Sequence, residues 1–126
     1  MPTARQVMTT PVVSIVVTAT TGEALELLRT LDVRHLPVVN ADDELVGMLS
    51  DRDLEPTRDA TDAVRTASVS AVMSGNPLSV TVEADASEIV DLMVEHKIGA
   101  VPVVEPDGTL VGIVSYLDLL RRLRLD

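Results

Sequence analysis

Displaced by 65 residues, the chain falls on itself: Met8 on Met73, Ser14 on Ser79, Glu23 on Glu88 and Leu27 on Leu92. The same displacement, without a gap, puts Pro37-Val38-Val39 on Pro102-Val103-Val104 and Leu45-Val46-Gly47 on Leu110-Val111-Gly112. It also puts Ser50 and Asp53 on Ser115 and Asp118. One unit is therefore used twice within 126 residues, the length of a single ordinary domain. A unit half that long buries too little apolar surface to be comfortably stable alone. The expected solution is two lobes packed through their sheets, with a natural cleft at the interface.

Local signals order each unit. Val13 to Val17 and Leu78 to Val82 are rich in β-branched residues and read as a first strand. A helix follows, its start marked by Thr20 with Glu23 in one copy and by Asp85 with Glu88 in the other. Ala24, Leu27, Leu28 and Leu31 recur at helical spacing, as do Ile89, Leu92 and Met93, which gives each helix an apolar stripe. Leu36 to Val39 with Leu45 to Leu49, and Val101 to Val104 with Leu110 to Val114, read as paired strands. The joining segments 40–44 and 105–109 are short and full of turn formers, so each pair predicts a hairpin. A second helix starts at Ser50 and at Ser115, giving a β-α-β-β-α repeat and an α/β fold class. The repeats place a first domain at 1–54 and a second at 70–126. The polar, Pro56-containing stretch 55–69 joins them as a linker with a partial helix around Ala63 and Val64.

Composition removes several function classes. Hydrophobic residues are 46% of the chain, yet Phe and Trp are absent and Tyr116 is the only aromatic, so the core is aliphatic. Zero cysteines exclude disulfides, thiolate metal sites and a thiol nucleophile. A formal net charge of −10 opposes nucleic-acid binding, which rests on neutralising phosphates, and there are no aromatic platforms for single strands. No apolar stretch approaches the roughly 20 residues of a membrane-spanning helix, and Met1 to Gln6 lacks the layout of a secretory signal. A cytoplasmic protein is expected. Asp42-Asp43-Glu44 reads as a solvated turn. His35 and His96 stand in no zinc-binding spacing, so no metal site is expected. No nucleophile elbow, Walker lysine or dinucleotide glycine motif occurs, and catalysis is not expected.

Two stretches carry a family resemblance. Arg34-His35-Leu36-Pro37-Val38-Val39 with Leu45-Val46-Gly47-Met48-Leu49-Ser50-Asp51-Arg52-Asp53-Leu54 resembles a cystathionine-β-synthase (CBS) domain from its second strand to its second helix. Gly99-Ala100-Val101-Pro102-Val103-Val104 with Leu110-Val111-Gly112-Ile113-Val114-Ser115-Tyr116-Leu117-Asp118-Leu119 is similar in the same way, and the lead-ins Val7-Met8-Thr9 and Val72-Met73-Ser74 extend it. The resemblance implies two tandem CBS domains about a pseudo-two-fold axis, a Bateman module. Such modules commonly bind AMP, ADP, ATP or S-adenosylmethionine in the clefts between domains; NAD or a divalent metal with ATP is also compatible. It further implies a homodimer forming a flat disc.

The site motif of that family, glycine, two apolar residues, Ser or Thr, any two, then Asp, stands at Gly47 to Asp53 and at Gly112 to Asp118. By resemblance Asp53 and Asp118 accept from ribose hydroxyls, a task for which a carboxylate has the acceptors. The resemblance implies that the Ser50 and Ser115 hydroxyls face phosphate, and Arg34, His35 and Arg52 give the first copy a local cationic cluster for the same group. Val12, Val13, Leu36 and Pro37 in one copy, and Leu78, Val101 and Pro102 in the other, enclose adenine; each serves equally well as plain core. Ser50 with Asp53 and Ser115 with Asp118 also read as helix caps, and capping and ligand contact use different lone pairs. The second copy lacks the cationic cluster, because Gly99, Ala100 and Leu117 replace Arg34, His35 and Arg52. His96 and Lys97 are its nearest cations in sequence and read as helix-end charges. Unequal sites are expected, the Asp53 copy preferring phosphorylated ligands.

Two readings of function follow. In one, the chain is a regulatory module without catalysis and without a required cofactor, whose adenosine ligand alters the activity of a separate partner protein. In the other, it is a ligand-independent dimerisation or docking module, for which Leu119, Leu120 and Leu123 supply an apolar stripe. The chain ends just after this last helix, so any effector is expected on another protein.

Overall fold

Each copy of the repeat builds an antiparallel hairpin with a parallel first strand at its edge. The computed structural model describes residues 1–58 and 66–124. In chain order the elements are α1 (Ala4–Val7), β1 (Ile15–Val16), α2 (Thr21–Leu31), β2 (His35–Val39), β3 (Leu45–Ser50) and α3 (Glu55–Arg58). They continue with β4 (Ser74–Gly75), β5 (Val80–Thr81), α4 (Ala86–His96), β6 (Ala100–Val104), β7 (Leu110–Ser115) and α5 (Tyr116–Arg124). One sheet has the order β1-β2-β3-β4, the other β5-β6-β7. The α/β class and the tandem repeat expected from sequence are found.

The two hairpins share one register. Pro37 lies opposite Met48 and Pro102 opposite Ile113, and the ladder shifts at Val38/Val39 in one copy and at Val103/Val104 in the other. β1 pairs only with Val38 and Val39, so the missing N–H of Pro37 falls before that pairing begins and removes no bond from it. In the first turn the Asn40 side chain accepts from the N–H groups of Asp42 and Glu44, at 2.9 and 3.0 Å, which satisfies the turn backbone locally.

The first helices begin where their caps predicted. Thr20 and Glu23 close a reciprocal capping box, Glu23 N–H donating to Thr20 Oγ1 at 3.1 Å and Thr20 N–H to Glu23 Oε1 at 3.3 Å. Asp85 instead accepts from Ser87, through backbone at 2.8 Å and hydroxyl at 2.7 Å, and this hydrogen bonding holds its carboxyl below the usual range. The buried face of α2 is Thr21, Ala24, Leu25 and Leu28; Leu27 is partly buried and Leu31 is exposed. The apolar stripe is thus rotated from the expected one towards Leu25. The second helix of the first copy also departs from expectation: after Ser50 comes a single 3-10 turn, Arg52–Leu54, before α3. The linker residues Ala63 and Val64 lie outside the described residues, as does the side chain of Leu123.

The packed units are offset from the sequence repeats. Val13–Pro77 forms one unit, and Met1–Val12 forms the other with Leu78–Asp126. Hydrogen bonds show why. Ala4 N–H donates to Ala84 O at 2.8 Å, Arg5 N–H to Val82 O at 3.0 Å and Ala86 N–H to Pro2 O at 2.8 Å. The repeat-related bonds recur in the other unit, where Val69 N–H donates to Ala19 O at 2.9 Å and Thr21 N–H to Ala67 O at 2.8 Å. Ala4 is fully buried in the core of Val80, Ile89, Val101, Val103 and Val114; Val69 is fully buried in that of Leu25, Leu28, Leu36, Val38 and Leu49. The sequence boundaries 1–54 and 70–126 describe the repeats, while each lead-in packs with the other repeat's first strand and helix.

Candidate functional site

The hairpin delivers Ser50 to the last position of β3, where the chain turns into Arg52–Leu54. There Ser50 N–H donates to Asp53 Oδ2 at 2.8 Å, and Asp53 N–H donates back to Ser50 Oγ at 3.2 Å. The same box forms at the end of β7. Ser115 N–H donates to Asp118 Oδ2 at 2.7 Å, its hydroxyl donates to the same oxygen at 3.0 Å, and Asp118 N–H donates to Ser115 Oγ at 3.2 Å. Both carboxylates are half-buried. Capping is therefore built in both copies. Whether an oxygen remains for a ligand depends on what else the carboxylate holds, and here the copies differ. Thr9 Oγ1 donates to Asp118 Oδ1 at 3.0 Å. Ser74 stands at the equivalent place, opposite Met48 as Thr9 stands opposite Ile113, yet among the described residues no bond joins it to Asp53.

Basic residues flank the first box. His35 lies directly across the ladder from Ser50, and Asp51 N–H donates to Arg34 O at 2.8 Å, so Arg34, His35, Ser50 and Asp53 are brought to one end of the sheet. Arg52 is exposed in the intervening turn. Burial and then the Arg34 charge lower the pKa of His35 against the opposing pull of Asp53 and Asp51, disfavouring its charged form. The second box has the same scaffold with Ala100 opposite Ser115 and Tyr116 N–H donating to Gly99 O at 3.0 Å. It carries no cation at those positions, and exposed Leu117 replaces Arg52. His96 and Lys97 end α4 as exposed residues.

The expected adenine walls divide. Leu36 and Val101 are 1% and 0% exposed and pack within the cores of their own units. Pro37 and Pro102, next along each strand, point to the opposite sheet face and are buried as well. Val13 and Leu78 are exposed and Val12 is half-buried, which leaves these three accessible. Among the described residues no group of three or more His, Asp or Glu side chains could hold a metal ion, and no helix is long and apolar enough to cross a membrane.

The motif glycines serve the lead-ins. A Cβ on Gly47 would meet the Met73 sulfur and lie 3.0 Å from the Ser74 carbonyl oxygen; a Cβ on Gly112 would meet the Met8 sulfur and lie 3.0 Å from its Cγ. Sequence reasoning assigned no role to Met8, Thr9 or Met73. The recurrence of Val-Met-Thr as Val-Met-Ser was the available signal, without indicating what the triplets touch.

Two copies of one α/β unit, each ending its hairpin in the same Ser-Asp box, define a tandem-repeat module. Residues 4–55 and 69–125 both match the CBS domain family, and the chain belongs to that family as a CBS domain pair. It is 33% identical over 124 residues to Hypoxic response protein 1 of Mycobacterium tuberculosis, covering 98% of this chain and 86% of that protein. It is 29% identical over 119 residues to the inosine-5'-monophosphate dehydrogenase of Methanocaldococcus jannaschii, covering 94% of this chain but only 23% of the enzyme. Among solved structures, CBSX2 in complex with AMP superimposes with a TM-score of 0.87 at 27% identity, covering 99% of this chain and 98% of that one. The CBS domain pair of protein MJ0100, crystallised with 5-methylthioadenosine and S-adenosyl-L-methionine, shares the fold with a TM-score of 0.87 at 22% identity, covering 98% and 97%.

Proposed function

We propose that this chain is a regulatory module that binds an adenosine-containing ligand and has no catalytic activity of its own. The observation that carries the reading is the Ser50-Asp53 box with Arg34, His35 and Arg52 beside it in the chain and the sheet: a half-buried carboxylate for a ribose diol, with two guanidinium cations and an imidazole for phosphate. Likeness to a CBS protein crystallised with AMP supports the ligand class. AMP, ADP and ATP fit the cationic copy best; S-adenosylmethionine uses the same carboxylate. Val12 and Val13 supply apolar surface for the base. Regulation of a partner protein follows if the ligand binds one conformation of the pair more tightly than another, and we place the protein in the cytoplasm as a homodimer.

Thermal unfolding of the ligand-stripped protein with millimolar AMP, ADP, ATP and S-adenosylmethionine tests this. A ligand at 100 times its dissociation constant adds about 2.7 kcal/mol, a rise of several degrees in Tm that Asp53→Ala removes. No rise with any of the four sinks the reading. The docking-module alternative would then gain from Val90, Val94, Leu117 and Leu120, which leave apolar surface exposed on α4 and α5.

A further inference from the structure

We infer that Thr9 withholds Asp118 from ligands, so that the chain carries one adenosine-ligand site, at Asp53, and uses its second carboxylate as an internal latch. The inference rests on the function proposed above and assigns the two copies different work. A carboxylate has about four acceptor positions, and a ribose diol needs two of them. Asp118 accepts three bonds from its own unit, two from Ser115 and one from Thr9. Among the described residues Asp53 accepts one, from Ser50 N–H. Roughly one position is left on Asp118 and three on Asp53. The Thr9 bond joins residues 109 apart in sequence and ties the lead-in to the start of α5. Replacing Arg34, His35 and Arg52 by Gly99, Ala100 and Leu117 independently removes charge from the same copy.

Titration calorimetry with AMP and with adenosine, which carries the diol without phosphate, tests the assignment. One equivalent of AMP per wild-type chain is expected, abolished by Asp53→Ala and retained in Asp118→Ala. Thr9→Val removes the competing donor and opens a second equivalent for adenosine, lost again in the Thr9→Val/Asp118→Ala double variant. Thr9 is exposed, and its backbone bond to Ile113 survives the substitution, so the variant is expected to fold. Two equivalents in the wild type, loss of the single equivalent in Asp118→Ala, or one unchanged equivalent in Thr9→Val would each overturn the assignment. Failure of the underlying functional reading looks different: neither AMP nor adenosine binds the wild type or any variant.

Discussion

At the scale of single residues, the family motif carries two unrelated demands. Its Ser and Asp form a capping box whose spare oxygens are those we propose for the ligand, whereas its glycine makes room for a methionine from the lead-in. Ala at either glycine should therefore cost stability through crowding without touching the carboxylate. Gly47→Ala and Gly112→Ala are each expected to lose about 1–3 kcal/mol in denaturant unfolding, the range for overpacking a close-fitted site. Gly47→Ala should lose more, because it also crowds the Ser74 carbonyl, a backbone atom, while the Met8 side chain facing Gly112 can change rotamer. Equal losses, or none, would mean that the lead-in is not held at these points. The Ser and Asp were legible in the sequence because their spacing recurs twice. The partner of Asp118 was not: Thr9 lies 109 residues away, and nothing in a one-dimensional spacing reports a contact of that range.

At the scale of elements, the local signals that worked were those whose partners lie three or four residues apart. The Thr20-Glu23 box formed as read, and both hairpins followed from two apolar runs around a turn-forming segment. Signals failed where tertiary packing chose between local options. The stripe of α2 includes Leu25 rather than Leu31, and the stretch after Ser50 opens with a 3-10 turn that buries Leu54 rather than with an α-helix. Both first helices end in the left-handed region on residues with a side chain, Asp32 at φ 53° and Lys97 at φ 56°. Asp is tolerated there because its short side chain bonds locally, whereas Lys bears the full clash of its Cβ with the following carbonyl. Lys97→Gly should raise stability by about 0.5–1 kcal/mol, the relief of that clash less the greater freedom of glycine in the unfolded chain. A lower midpoint in urea for Lys97→Gly would show that the lysine makes a contact worth more than the strain.

At the scale of the whole molecule, repeat and packed unit are different things. The sequence repeat begins at the lead-in, so alignment assigns Ala4 to the first copy and Val69 to the second. Packing puts each into the core of the other copy's β-α-β-β, the bonds of Ala4 to Ala84 and of Ala86 to Pro2 matching those of Val69 to Ala19 and of Thr21 to Ala67. Self-similarity could not reveal this, since a repeat whose lead-in packs at home and one whose lead-ins are exchanged have the same sequence. The exchange makes damage appear in the wrong copy. Ala4→Asp places an unpaired carboxylate in the core around Val101 and Val114, and Val69→Asp does the same around Leu36 and Leu49. A buried charge without a partner destabilises its surroundings by several kcal/mol. Amide hydrogen exchange in variants that stay folded locates the loss. Ala4→Asp should accelerate exchange first in β6 and β7, which belong to the other repeat, and leave β2 and β3 closer to wild type. Val69→Asp should do the reverse. If each substitution loosened the hairpin of its own repeat instead, the units would coincide with the repeats, and the Thr9 latch on Asp118 would have no lead-in to hold.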